Sequence, residues 1–256
     1  MSYATVRYEV VGGLATVTLD RPDAMNGITN EMMRELVDVL QRAVVDRSIR
    51  VLVLTGEGRA FCPGADLKHY SDGADEVPLR SSDFVMTTLF HEMPAVTVAA
   101  INGACAGAGL GWALACDLRL MSASAKLNTA FLDVAVAGDM AIPWSLPRLI
   151  GAARARDLSF MPRKVDADEA QQLGLVARVF PAETFRDDVE AVVSSLLQKS
   201  PTALLGMKAN YLAAERMQLA DFVDYEAERH LRIAAGADTA EAFRAFVEKR
   251  EPNFGG

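Results

Sequence analysis

Residues 96–117, VTVAAINGACAGAGLGWALACD, read as a buried strand, a glycine-rich turn and a tightly packed helix, and they constrain the fold more than any other part of the chain. From 103 to 111 every residue is Gly, Ala, Cys or Leu, so the backbone is bare along the turn and at the start of the helix. Four N–H groups at a helix N-terminus lack an internal partner, and the helix dipole adds about half a positive charge there. An oxygen that becomes anionic during a reaction is stabilised at such an end. Small residues also let a helix pack closely on a sheet, so the stretch alone leaves both readings open.

The order Gly107-Ala108-Gly109-Leu110-Gly111 lacks G-x-G-x-x-G spacing and no Lys-Ser/Thr follows it, which excludes a nucleotide phosphate loop. A second stretch, VLVLTGEGRAFCPGADLK at 51–68, repeats the design: an apolar strand, a Gly-containing turn, then Ala65-Asp66 opening a short helix. Two such turns can each aim one backbone N–H at a single carbonyl oxygen. The pairing of FCPGADL with AINGACAGAGLG resembles the crotonase (enoyl-CoA hydratase/isomerase) superfamily. The similarity runs nearly end to end, from RPDAMNGIT at Arg21 through VDADEAQQLGLVARVFP to FVEKREPNF.

A chain of 256 residues, 51% of them hydrophobic, can bury one large core with an appendage. A net charge of −8 disfavours the phosphate contacts that dominate nucleic-acid binding. No apolar run reaches the ~18 residues of a membrane span, and the first residues, MSYATVRYEVVGG, hold no signal-peptide core. The expectation is a soluble, cytoplasmic protein with neither nucleic-acid nor membrane partners. Cys62, Cys105 and Cys116 have no C-x-x-C spacing and read as buried free thiols. His69, His91 and His230 lack metal-ligand spacing, so no metal is expected.

Along the chain, residues 3–20 alternate around Gly12-Gly13 as a two-stranded hairpin. Thr29 can cap a helix to about Val45, with Met33, Leu36, Val37, Leu40 and Val44 at helical spacing. A polar stretch over 69–83 is the candidate mobile lid. A helix resumes near Asp83, followed by strands over 95–101 and 118–121 on either side of the glycine turn and its helix. From Ala152 the chain turns mostly helical, with a capped DADEAQQLG and a last strand LVARVF, and Ser200-Pro201 starts a helical tail. Periodicity alone predicts an α/β fold with parallel strands. The resemblance implies more: a crotonase-like spiral of ββα turns over 1–192 and a C-terminal helical oligomerisation segment over 193–256, assembling as a homotrimer or a dimer of trimers.

The resemblance also implies a substrate, an acyl-CoA thioester, with coenzyme A as part of the substrate and no separate cofactor. Its thioester oxygen would sit between the backbone N–H groups of Ala65 and Gly109. Coenzyme A contacts would come from Ala24 and Met25 by backbone, from Lys68 by charge, and near the C-terminus from Phe246 and Lys249, in some relatives supplied by a neighbouring subunit; Arg21 is a weaker candidate. Where hydratases of the family carry two glutamates, this chain has Gly111 and Phe131, and neither can move a proton. Asp139, in VAVAGDMAIPW, stands where other branches place an acid. Its neighbours Ala137, Met140, Ile142 and Trp144 are apolar, and burial among them would raise its pKa toward 6, at a cost of about 3 kcal/mol.

A helix N-cap at Asp139 is the competing structural reading. Asp66 and Asp117 read as turn and structural groups, His69 as an exposed loop residue, and Asp133 as facing away from Phe131 if that segment is extended. One acid that removes and returns a proton suits a double-bond shift in an enoyl-CoA better than hydration. The alternatives are hydrolysis or dehalogenation with Asp139 as nucleophile or water base, and a catalytically silent CoA-binding protein.

Overall fold

The computed structural model describes residues 3–73 and 78–254. Strands β1 (Val6–Val11) and β2 (Leu14–Leu19) pair antiparallel, Val6 opposite Leu19. The link is Gly12-Gly13 at φ 58° and 88°, the left-handed pair that a tight hairpin requires. Thr29 Oγ1 accepts the Met32 amide at 3.2 Å and starts helix α1 (Asn30–Val45). Its buried face carries Met32, Met33, Leu36, Val39, Leu40 and Ala43. Each large side chain contributes about 2 kcal/mol of gross burial, most of it offset by lost chain entropy.

Then come β3 (Val51–Gly56), β4 (Ala60–Cys62) and α2 (Leu67–Ser71), with α2 capped by Asp66. A 3₁₀ turn at Ser81–Phe84 leads into α3 (Met86–Glu92). Residues 74–77 of the candidate lid lie outside the described residues. Next are β5 (Val96–Ile101), β6 (Ala104–Ala106) and α4 (Gly107–Ala115), then β7 (Leu118–Ser122), β8 (Leu127–Asn128) and α5 (Ile142–Ile150). Helices α6 (Ala152–Phe160) and α7 (Ala167–Leu173) precede β9 (Arg178–Phe180).

The longer strands form one sheet in the order β1-β2-β3-β5-β7-β9, parallel from β2 onward. The short strands form a second, parallel sheet, β4-β6-β8. Each successive turn of chain thus gives one strand to the large sheet, one to the small sheet, and then a helix: the ββα spiral. All nine residues of α4 are buried, since only a helix of small residues fits between the sheets and the surrounding helices.

Helix α8 (Phe185–Leu197) covers the outer face of the large sheet, setting Phe185, Val189 and Val193 against Val51, Val53, Val96 and Val98. Helix α9 (Pro201–Ala214), capped by Ser200, is fastened through buried Lys208, whose Nζ donates to Ala95 O at 2.8 Å and to Asp117 Oδ2 at 2.7 Å. The same oxygen accepts from Thr97 N and Oγ1, which gives Asp117 the structural task the sequence suggests. Helices α10 (Leu219–Ala234) and α11 (Ala237–Glu248) complete the tail and expose Leu231, Phe243, Phe246 and Val247. Among the described residues no helix is long and apolar enough to cross a membrane.

Candidate active site

The small sheet builds the site. Parallel pairing sets Ala60 beside Ala104 and Cys105 beside Leu127, so the segments that follow β4, β6 and β8 leave from one edge. Those segments carry Ala65, Gly109 and the stretch from Phe131 to Asp139. Outside the carboxyl ends of parallel strands is where α/β folds place their ligands.

Gly64, at φ 97°, packs so closely on the start of α4 that a Cβ there would lie 3.2 Å from Ala106 O and 3.6 Å from Gly107 Cα. On its other side the turn forms a parallel bridge to Ile28: Ile28 N donates to Gly64 O at 2.9 Å and Asp66 N donates to Ile28 O at 3.0 Å. Because neighbouring residues in extended chain point their polar groups to opposite sides, the Ala65 N–H faces away from Ile28. Ala65 itself is exposed, and no acceptor among the described residues takes its N–H. Gly109 is the third residue of α4, so its N–H belongs to the helix's unpartnered first turn.

Two further turns frame this edge. The Arg21 guanidinium donates to Asp66 Oδ2 at 3.0 Å and to the Gly27 carbonyl, while Asn26 Nδ2 holds Glu57 O and Ala60 O. Ala24 and Met25, both half-buried, are thereby tied beside the 64–66 turn, and exposed Lys68 follows it on α2. Arg21 is committed to this structural clamp. Burial acts to raise the Asp66 carboxyl, but the His69 amide and Arg21 outweigh it and hold the group below its ordinary value. His69 departs from the sequence expectation: it is half-buried on α2.

Asp139 does not cap a helix. The N-cap of α5 is Ala141, with no side-chain bond, and Asp139 contributes only its carbonyl, which accepts Ile142 N at 3.1 Å. Its Oδ1 is sealed from solvent without a hydrogen-bond partner among the described residues. Burial alone raises this carboxyl from 3.8 to about 6. Met140 and Ala141 follow at φ 46° and 56°, two successive left-handed residues that are not glycine, a strained backbone of the kind found at functional sites.

At Gly111 the structure leaves no room for a side chain. A Cβ on Gly111 would collide with Met140 Cβ and lie 2.9 Å from Met140 O, so Met140 fills the space a side chain at 111 would enter. Phe131 packs over α4's first residue and the glycine before Asp139: its ring lies 3.9 Å from a Cβ placed on Gly107 and 3.7 Å from one on Gly138. Residues Leu132–Val134 form a 3₁₀ turn, so the extended segment assumed for Asp133 does not exist, and Asp133 is exposed. The Cys62 thiol is fully buried and pushed up to about 12, too high for a nucleophile.

The turn at 64–66 packs on the start of α4, Ala24, Met25 and Lys68 lie beside that turn in the chain, and Phe131 links the start of α4 to Gly138, the residue before Asp139. Phe246 and Lys249 are both exposed at the end of α11, and no hydrogen bond or ion pair among the described residues ties them to the 64–66 turn or to α4. The packing of Met140 on Gly111 and its contact with Thr87 are what the sequence does not show. The one available signal was a glycine at 111, which implies that another side chain occupies the space.

The profile of the enoyl-CoA hydratase/isomerase family matches residues 9–256. A probable enoyl-CoA hydratase of Rhodobacter capsulatus is 37% identical over 100% of both chains. The 1,2-epoxyphenylacetyl-CoA isomerase of Escherichia coli is 32% identical over 95% of both chains. The crystal structure of an enoyl-CoA hydratase from Bacillus anthracis superposes with a TM-score of 0.91 at 28% identity, covering 98% of this chain and 99% of that one.

Proposed function

Because the chain belongs to the enoyl-CoA hydratase/isomerase family and is an enzyme of the lyase/isomerase type acting on enoyl-CoA thioesters, we propose that it shifts a double bond along an unsaturated acyl-CoA, with Asp139 as its sole acid/base. The observation that carries this reading is the buried, unpartnered Oδ1 of Asp139 beside a site with no carboxylate at 111 or 131. A carboxyl titrating at about 6 is mostly ionised at neutral pH and still a competent proton donor once loaded. Asp139 removes a proton from the carbon next to the polarised thioester or vinylogous to it, and returns it at the other end of the allylic unit. Hydration by two carboxylates holding a water has no second carboxylate here. The 32%-identical relative named an isomerase supports the same direction.

The Ala65 and Gly109 amides take the negative charge that develops on the thioester oxygen, and loss of one such donor costs about 10²–10³-fold in rate. Ala24 and Met25 receive coenzyme A by backbone and Lys68 by charge. Phe246 and Lys249 reach a neighbouring subunit's coenzyme A in a cytoplasmic homotrimer or dimer of trimers, which would also cover the exposed Phe243, Phe246 and Val247. Coenzyme A belongs to the substrate, and the chemistry asks for no other cofactor.

The test is a panel of α,β- and β,γ-unsaturated acyl-CoA thioesters followed by chromatography and mass spectrometry, with wild type and Asp139→Asn. The expected product has unchanged mass and altered retention, and the variant loses at least about 10³-fold in kcat. A product heavier by one water, formed equally well by the variant, would overturn the proposal. Light scattering of the purified protein reads the assembly.

A further inference from the structure

We propose that the hollow between α5 and α6 receives the far end of the acyl group, and that Arg156 selects substrates in which that end carries a carboxylate. This inference rests on the isomerase reading and adds to it the class of acyl group, an unsaturated chain or ring with an anionic terminus.

The hollow measures about 340 Å³, the size of a small-ligand site, and its walls are mostly apolar, with Phe131, Gly138, Ile142 and Leu146 among them. It adjoins the loop that carries the acid. Gly138 directly precedes Asp139, and Ile142 N donates to the Asp139 carbonyl at 3.1 Å. The Phe131 ring lies 3.9 Å from a Cβ placed on Gly107, the residue that opens α4. Helix α6 supplies a further wall, with Ala152, Arg156 and Ser159 at helical spacing. Thr129 Oγ1 donates to Leu158 O at 2.6 Å, which ties the end of α6 to the chain just after β8 and fixes that wall.

Among the residues lining the hollow, Arg156 alone is charged. Its guanidinium makes no hydrogen bond or ion pair among the described residues. Other arginines close on carboxylates: Arg163 on Glu169, Arg216 on Glu92 and Arg250 on Glu241. A guanidinium presents its donors in a plane that matches a carboxylate through two parallel hydrogen bonds. The Ser159 hydroxyl, three residues further along the same face of α6, adds a donor. A ligand with an apolar body and a carboxylate end therefore satisfies both the walls and the cation, whereas a methyl-ended chain satisfies only the walls. Arg156 is exposed at the rim, so water screens the pair and limits its selectivity to about tenfold.

The experiment compares two β,γ-unsaturated acyl-CoA thioesters of equal chain length, one ending in a carboxylate and one in a methyl group. Binding to Asp139→Asn is measured by calorimetry and kcat/KM with wild type. The carboxylate-ended thioester is expected to bind and to react about tenfold better, a preference that shrinks as salt is added. Arg156→Met is expected to abolish the preference and Arg156→Lys to keep part of it. Ala152→Phe, which fills the hollow from exposed α6 and leaves the cation in place, is expected to weaken both thioesters. No preference in wild type, a preference that survives Arg156→Met, or unchanged binding in Ala152→Phe overturns the proposal. An active Asp139→Asn would instead sink the isomerase reading while the binding preference stands, so the two failures are distinguishable.

Discussion

Replacing Asp139 by Asn keeps the shape of the side chain and removes its charge, and the structure fixes how that change couples to pH. Burial raises the folded-state carboxyl from 3.8 to about 6. At about 1.36 kcal/mol for each tenfold change in proton affinity, the ionised form is disfavoured in the folded protein by about 3 kcal/mol. Solvent still screens the less buried oxygen, which lowers the expectation to about 2 kcal/mol. The sign follows from linkage: below about pH 4 the carboxyl is protonated both folded and unfolded, so it destabilises nothing. As pH rises through about 6 the folded state must ionise a buried acid, and the stability present at low pH is lost. Asp139→Asn escapes this loss. Urea unfolding of both proteins at several pH values should show the variant's relative stability rising by about 2 kcal/mol between pH 4 and 7.5, while every other carboxylate cancels in the comparison. A difference independent of pH would refute the burial of this acid, and a difference of opposite sign would mean that a cation faces it. The same variant is expected to be nearly inactive, a stability gained where catalysis is lost.

Three further outcomes follow from the same geometry. In wild type, kcat/KM is expected to rise about tenfold from pH 5 to 7 with a single break near the Asp139 value of about 6, and a pH–rate profile checks it. Gly109→Ala would bring a Cβ to 2.7 Å from Cys62 Cβ and 2.8 Å from its Sγ; a stability loss of about 1–3 kcal/mol and a fall in kcat of about 10²-fold are expected, measured by urea titration and steady-state kinetics. Lys208→Met leaves the Asp117 carboxylate, among the described residues, with Thr97 N and Oγ1 as donors and loosens α9, and should lower unfolding free energy by about 3 kcal/mol. An unchanged urea midpoint would show that the Lys208 ion pair does not hold the tail.

The features legible in the sequence were those governed by neighbours a few residues away. Thr29 and Ser200 cap the helices they were expected to cap, and Gly12-Gly13 makes the expected hairpin. The small sheet escaped detection because β4 has three residues and β8 two, too few for any periodicity to register. Helix α5 carries Pro143 in its first turn, where no N–H is needed, and Pro147 inside it, so its sequence lacks an ordinary helical signature. The 3₁₀ turn at Leu132–Val134 replaced the extended segment assumed for Asp133, because single-residue alternation cannot be told from a tight turn over so short a span.

By itself the sequence determined the inventory: two strand-to-helix turns with bare amides, no carboxylate at 111 or 131, and one acid at 139 among apolar residues. Only the tertiary structure decided what that inventory can do. Pairing of three short parallel strands brings turns from distant parts of the chain to one edge, and Met140 fills the space in front of Gly111 that a side chain at 111 would enter. Hydrogen-bond register and burial are sums over groups remote in sequence, and the proton affinity of a carboxyl is set by the water those groups exclude.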